Sequence, residues 1–371
     1  MESIKSGILE ITDKGYGFLR SPESNFEAST DDIYISAKLI GDNYLREGCF
    51  VSGETGEARQ SNQNPPLASV TDVNGIEAQS YKDIWDITER TAKSPEEQYK
   101  IETGADDFIG RAIDIFSPIG KGQRGLIVAP PKAGKTTILK HIARSIAINH
   151  PETKIFTVLI DERPEEVTDF KRTTGATVYS SNLDERPDKH IRIAKLAFSV
   201  AQIQAEMGHD VVVLIDSLTR MTRAFNLRTH GRGKTLSGGI DAEALSIPKK
   251  FFGAARNFKG TGSLTVLASI LINTESRMDE VIFQEYKGTG NMELVLDRDI
   301  AERGIYPAIS ILESGTRKEE LILRENLEAA TNIRRKLSQY RDVEALAEIL
   351  GAFRKTNSNS ELFQRITGKA K

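Results

Sequence analysis

The segment APPKAGKTT (129–137) carries the strongest chemical signal in the chain. It holds the last three positions of the G-x-x-x-x-G-K-[ST] pattern, with Ala129 where the general pattern has Gly. Gly134 permits a tight turn, and with Lys132 and Ala133 just before it the loop offers successive backbone N–H groups to an anion at a helix amino end. Lys135 can reach β- and γ-phosphate oxygens, the Thr136 hydroxyl can ligate Mg²⁺, and Thr137 completes the first helical turn. An ordinary strand–turn–helix junction is the bland alternative. The flanks argue against it: GLIVA (125–129) reads as a buried strand, and Ile138, Leu139, Ile142 and Ile146 recur at helical spacing.

Two carboxylates have the chemistry to complete such a site. Asp216 ends the apolar run VVVLID (211–216), where an acidic residue can hold Mg²⁺ directly or through water. Many strands end in Asp as a turn residue, so this reading depends on the phosphate loop. Glu162, in LIDERPEEV (159–167), follows the buried run KIFTVLI (154–160) by two residues. The carboxyl edge of a parallel sheet is where ligands sit, and a carboxylate there can orient an attacking water. Its neighbours Asp161, Glu165 and Glu166 also suit the start of a helix. Arg317 lies in a polar turn, SGTRKEE (314–320), where an arginine by itself reads as a surface ion-pair partner. Near the amino end, Tyr16 and Phe18 alternate on a predicted strand and share a face with Arg20. Paired aromatics on a small barrel make a stacking platform for unpaired bases, with Arg20 as a phosphate contact; barrel core is the alternative.

The elements that must position these residues fall into two patterns. Residues 1–77 contain short alternating runs punctuated by Gly, Asp, Asn and Ser, which predicts a small barrel or sandwich. Residues 78–108 are polar and mixed, a connector with some helix. From 109 to 371, Val/Ile/Leu runs alternate with helical spacing, which predicts an α/β fold with a mostly parallel sheet covered on both faces. The 371 residues exceed a single compact core and imply more than one domain. One cysteine, Cys49, excludes an internal disulfide framework and a Cys-rich zinc site. No apolar run is long enough for a membrane helix, and no secretory leader is visible, so a cytoplasmic protein is expected. The net charge is −3, but residues 1–77 carry 6 Lys+Arg against 13 Asp+Glu. Bulk charge therefore does not signal nucleic-acid binding, which must rest on local sites.

Taken together, the motifs resemble the Rho family of transcription termination factors. The resemblance rests on SPIGKGQRGLIVAPPKAGKTT (117–137), LIDERPEEV, LIDSLTRMTRAFN (214–226), SGGIDAEAL (237–245), KGTGNMEL (287–294) and SGTRKEEL (314–321), in that order. GYGFLRSPESNF (15–26) and DDIYIS (31–36) resemble the family's cold-shock-like RNA module. The likeness implies a RecA-like P-loop NTPase motor preceded by an OB/cold-shock-like β-barrel, in a homohexameric ring with ATP and Mg²⁺ between neighbours. It implies that Glu162 is catalytic with Arg163 beside it, that Lys132 adds charge near the phosphates, and that Arg317 acts in trans as an arginine finger. It places Tyr306 near the adenine. Two channel loops are implied for RNA, one over 231–241 with Lys234 and one around NTESRMDE (273–280) with Arg277. The implied activity is an RNA-dependent ATPase and 5′-to-3′ helicase that binds single-stranded nascent RNA and dissociates the RNA polymerase elongation complex. There are departures: Gly304 stands where the family often has Arg, the segment 58–70 lacks the usual aromatic, and the helical extension preceding the module in many members is expected to be missing. A protein-acting ring ATPase and a motor-dead RNA-binding protein are the competing readings. The first lacks GYGFLR with DDIYIS, and the second conflicts with the intact Lys135, Thr136, Glu162, Asp216 and Arg317.

Overall fold

The computed structural model describes residues 4–56, 64–84, 86, 89–229 and 237–368. The first element set is antiparallel: β1 (Ile4–Ile11), β2 (Gly17–Arg20), β3 (Ile33–Ile35), α1 (Ala37–Asp42), β4 (Phe50–Thr55), β5 (Leu67–Val73) and β6 (Ile76–Glu77). The strands join in the order β3-β2-β1-β4-β5-β6. The Tyr34 N–H donates to the Pro65 carbonyl at 2.9 Å, bringing β3 against the start of β5 and curling the sheet towards closure. Period-2 alternation sends Leu9, Leu19, Ile33, Ile35 and Val51 inward to a core of their own.

After α2 (Ala78–Tyr81), the segment expected as a connector holds two short strands, β7 (Ala92–Lys93) and β8 (Gln98–Tyr99). β7 joins the large sheet through β14 (Arg256–Phe258). The rest of the chain alternates: α3 (Phe108–Phe116), β9 (Ile119–Gly120), β10 (Arg124–Ala129), α4 (Lys135–Asn149), β11 (Lys154–Glu162), α5 (Pro164–Thr174), β12 (Thr177–Asn182), α6 (Pro187–Glu206), β13 (Asp210–Asp216), α7 (Leu218–Thr229) and α8 (Ala242–Gly253). Then follow β14, β15 (Ser263–Leu271), α9 (Arg277–Lys287), β16 (Met292–Val295), α10 (Arg298–Glu302), β17 (Gly315–Thr316), α11 (Glu319–Leu323), α12 (Leu327–Leu337), α13 (Asp342–Phe353) and α14 (Asn359–Ile366).

The large sheet runs β12-β11-β13-β15-β10-β16-β17, parallel from β12 to β16, with β14 and β17 antiparallel at its margins. The buried strands are nearly continuous in Val, Ile and Leu because helices cover both faces. The helix ends follow local chemistry. α5 begins with Pro164 and the acidic pair Glu165 and Glu166, carries Lys171 and Arg172 in its last turn, and stops at Gly175.

The small sheet docks on α6 and on the sheet edge at β12. Phe26 is fully buried and stacks on Tyr179 with ring centroids 4.5 Å apart. Gly48 backs directly onto α6: a Cβ there would sit 2.6 Å from the Ser199 backbone, so only glycine permits the approach. Glu10 pairs with Arg192 of α6, and Arg46 pairs with Glu206 at its far end.

Candidate functional site

Because β10, β11, β13 and β15 are parallel, their carboxyl ends lie along one edge of the sheet, where open α/β sheets bind ligands. The loop 130–134 leaves β10 at that edge and turns into α4. Gly134 sits at φ +92° and Lys132 at φ +67°, the tight left-handed geometry of an anion-cradling loop. Gly134 caps α4 with no side-chain hydrogen bond, and the first turn has no acidic residue. The helix amino end therefore keeps its N–H donors and positive dipole for an anion. Ala133 is buried beneath the loop, whereas Lys132 and Thr137 are exposed.

Asp216 ends β13 fully buried and is held from three sides. The Lys135 ammonium pairs with it, the Thr136 hydroxyl donates at 3.2 Å, and the Ser269 hydroxyl of β15 donates at 2.8 Å. Two oxygen donors side by side suit a hard cation such as Mg²⁺, which keeps waters and phosphate oxygens in its shell. Among the described residues no cluster of three His, Cys, Asp or Glu side chains could hold a metal by itself.

Glu162 is the last residue of β11 itself, where the sequence pattern had placed it two residues past the strand. A bulge between Leu159 and Glu162, with Asp161 at φ +58°, redirects the strand end. The side chain is 3% exposed, and burial pushes its carboxyl above the ordinary glutamate value. Arg220 opposes that rise from 3.5 Å, while the Asp216 charge adds to it. Arg220 also donates to the Asp161 carbonyl and so pins the bulge. Arg163, at the amino end of α5, is exposed. Tyr306 is 62% exposed on the segment after α10. Two residues on, Ala308 accepts from the Asp297 N–H just past β16, which keeps this segment near the same carboxyl edge.

Arg317 lies at the opposite edge. Its backbone N–H donates to Asn291 at 2.9 Å, and the Asn291 side chain accepts from the Arg124 N–H at the start of β10. The length of β10 separates that point from the phosphate loop, about 16 Å at the usual strand rise. An arginine side chain cannot span this gap within one chain.

On the small sheet, Tyr16 just precedes β2, and Phe18 pairs directly across from Tyr34 of β3. The three rings form a cluster with centroids 5.5 to 6.0 Å apart, all part-exposed, while Leu19, Ile33 and Ile35 face the core. Arg20 differs from its expected role as a phosphate contact. Its guanidinium is bound between Glu10, at 2.6 Å, and Asp32, and lies 4.7 Å from the Phe18 ring. Two carboxylates already pair with it, and its guanidinium lies against the Phe18 ring.

Arg277, in the stretch 273–280 that the family resemblance implies as a channel loop, is the first residue of α9. It borders a cleft of about 620 Å³ with Asn273, Glu275 and Phe283. Lys234, and the part of 58–70 up to residue 63, lie outside the described residues. Beyond Lys234, the end of its loop is tied down by Asn226, which donates to the Gly239 carbonyl at 3.1 Å and accepts from the Asp241 N–H at 2.7 Å.

Sequence reasoning missed Tyr34, Ser269 and Arg220. Tyr34 stands between two inward isoleucines in DDIYIS, so strand alternation alone could have found it. Arg220 is four residues past Asp216, in the first turn of α7. Ser269 sits in an apolar strand and gave no signal.

Comparison with known proteins adds three findings. Residues 5–79 match the family described as Rho termination factor, RNA-binding domain, and residues 110–316 match the ATP synthase alpha/beta family, nucleotide-binding domain. A curated relative named transcription termination factor Rho, from Thermotoga maritima, is 47% identical over 361 residues, 97% of this chain and 84% of the relative. One of the same name from Bacillus subtilis is 47% identical over 359 residues, 96% and 83%. Among solved structures, an ATPase from the type III secretion system of pathogenic bacteria superposes with a TM-score of 0.61 at 20% identity, covering 85% of this chain and 93% of that one. An ATP synthase subunit from Nanoarcheaum equitans gives 0.58 at 20% identity, covering 67% and 63%. At that identity the likeness speaks for a shared RecA-like fold alone. Among the described residues no helix is long and apolar enough to cross a membrane.

Proposed function

The chain belongs to the transcription termination factor Rho family, and from that premise we propose that it is an RNA-stimulated ATP hydrolase whose ring moves 5′ to 3′ along single-stranded RNA and dissociates the RNA polymerase elongation complex. One observation carries the reading. Lys135, Thr136, Asp216 and Glu162 converge on one sheet edge of a chain whose other sheet presents three part-exposed aromatic rings. The working division is a barrel module over 1–77, a connector over 78–108 and a motor over 109–371, in a cytoplasmic homohexamer.

In this reading the backbone of Ala133 and Gly134, with the amino end of α4, grips the β- and γ-phosphates of ATP. Lys135 leaves Asp216 for the phosphate oxygens, and Lys132 adds positive potential. Thr136 and Asp216 would hold Mg²⁺, which when bound neutralises charge on the phosphate oxygens. Glu162 orients the attacking water and accepts its proton. A buried carboxylate with a raised pKa is a stronger base than an exposed one, and Arg220 keeps it ionised and aimed. Arg163 lines the same entrance, and Tyr306 offers an exposed ring for the adenine.

Arg317 comes from the neighbouring protomer. Its place at the far end of β10 supports this: in a head-to-tail ring two different faces of the subunit meet, so a residue too far from its own phosphate loop can serve a neighbour's. The finger then stabilises transition-state charge only when the seam is closed. RNA bases stack on Tyr16, Phe18 and Tyr34, and the strand reaches the Lys234 and Arg277 segments in the channel.

The test is ATP turnover by the purified chain with and without poly-C and a mixed-sequence RNA. The reading expects a clear rise with RNA; equal rates in all three conditions contradict it.

A further inference from the structure

Asn25 is not part of either site, yet it bonds the loop after β2 directly to β12. Its side-chain amide donates to the Ser180 carbonyl at 2.6 Å and accepts from the Ser180 N–H at 3.0 Å. This reciprocal pair copies one rung of a β-ladder, laid by a side chain on the open edge of the motor sheet. β12 is that edge strand. The next residue, Ser181, accepts the Asp161 N–H on its hydroxyl at 3.4 Å, and the one after, Asn182, pairs in register with Glu162. Three consecutive residues of β12 therefore connect Asn25 to the bulge that carries the catalytic carboxylate.

The other end of the connection is equally short. Asn25 follows Arg20, the last residue of β2, through the loop Ser21–Ser24, and β2 carries Phe18 of the aromatic platform. Asn25 and Phe26 both hold left-handed backbone, at φ +55° and +62°. Two successive non-glycine residues in that region are strained unless their surroundings hold them there. The Ser180 rung and the Phe26–Tyr179 stack provide that hold. Glu10 forms a parallel tether, taking Arg20 of the platform on one side and Arg192 of α6 on the other. The ion pair between Glu27 and Lys189 is a second link, since Lys189 also binds Glu185 and Glu185 accepts the Asn182 N–H at 3.0 Å, whereas the pair between Arg46 and Glu206 holds the same docking face at the far end of α6.

We infer that Asn25 is a positioning residue that ties RNA occupancy of the aromatic platform to the placement of Glu162, through the Ser180–Asn182 stretch of β12. Stacking a base on Phe18 and Tyr34 fixes β2 and its loop, and the amide rung passes that restraint to the strand beside the catalytic bulge. The inference rests on the RNA-stimulated hydrolysis proposed above.

The test uses the full chain carrying Asn25→Gly, which removes the amide while glycine still accepts φ +55° without strain. Three quantities are measured: affinity for poly-C RNA, basal ATP turnover, and kcat and KM for ATP at saturating RNA. The expected result is unchanged RNA affinity, unchanged basal turnover and unchanged KM, with the RNA-stimulated kcat lower by about five-fold or more, the low end of typical coupling between two sites. Asn25→Asp keeps the acceptor for the Ser180 N–H and loses the donor, so it should fall between wild type and Asn25→Gly; it also serves if the glycine variant fails to fold. Arg46→Gln loosens the same docking face at the far end of α6, away from β12, and should keep full stimulation. Full stimulation in both Asn25 variants overturns the inference, as does a parallel fall in RNA affinity or an equal loss in Arg46→Gln. A wild-type chain that RNA does not stimulate overturns the underlying function instead, and the coupling with it.

Discussion

The phosphate-loop edge and the aromatic face of the small sheet solve the same problem, holding a polyanion, by opposite means. At the edge, one buried parallel sheet delivers every group. Asp216 is fully buried, Glu162 nearly so, and their neighbours Lys135, Ser269 and Arg220 come from elements packed on the same core. On the small sheet the aromatic rings are part-exposed, and the nearest cation, Arg20, is spent on Glu10 and Asp32. In the proposed function, the first region holds its ligand with preorganised charge and the second holds it by stacking. Acidic composition over residues 1–77 is compatible with the second strategy, because stacking needs no surplus of positive charge.

Four experiments can break or sharpen that contrast. Arg317→Ala should have the largest effect: steady-state ATP turnover falls by about 10³–10⁵-fold, the usual worth of an arginine finger, with nucleotide affinity nearly unchanged. Wild-type turnover in that variant would remove Arg317 from the reaction. Glu162→Gln should lower single-turnover hydrolysis by about 10²–10⁴-fold while ATP still binds. The same residue sets a pH signature. A base works only when ionised, and its raised pKa means that activity is lost, as pH falls, above the range where an ordinary glutamate protonates. That acid limb should disappear in the residual activity of Glu162→Gln.

On the small sheet, replacing Tyr16, Phe18 or Tyr34 by Ala should each weaken RNA binding by about 1–3 kcal/mol per stacked base, with basal ATP turnover retained. Titration of labelled RNA measures this, and an unchanged affinity for all three variants would return the rings to a packing role. The smallest effect concerns Arg20. Because two carboxylates neutralise it, Arg20→Gln should leave the slope of log affinity against log salt unchanged. A true phosphate contact would lower that slope by about one.

The same contrast explains how much of the molecule was legible in its sequence. The parallel sheet was visible because burial on both faces writes continuous runs such as VVVLID, and chemistry sits where those runs end. Glu162 was off by its bulge alone, since a bulge comes from local backbone geometry that composition does not record. Arg277, implied on a loop by the family resemblance alone, opens α9, where Ser276 caps the helix by accepting the Asp279 N–H. Arg20 reads as a free cation in the sequence for a different reason: Asp32 is 12 residues away and Glu10 is on the neighbouring strand, so the pairs that neutralise it form only once β1, β2 and β3 pair. The docking of the two sheets, through Phe26 on Tyr179 and Gly48 on α6, left no pattern in the sequence, because each contact is a single residue meeting a surface formed far along the chain.

The central claim is that each hydrolytic site is shared by two protomers, and mixing two dead variants tests it most directly. Lys135→Ala loses the phosphate grip, and Arg317→Ala loses the finger, so each alone should be inactive. Rings assembled from both variants contain some seams with an intact loop on one side and an intact Arg317 on the other. The account predicts that RNA-stimulated ATP turnover reappears in the mixture and rises and falls with the mixing ratio. Mixed rings, verified as mixed, that stay as inactive as either parent at every ratio would contradict it.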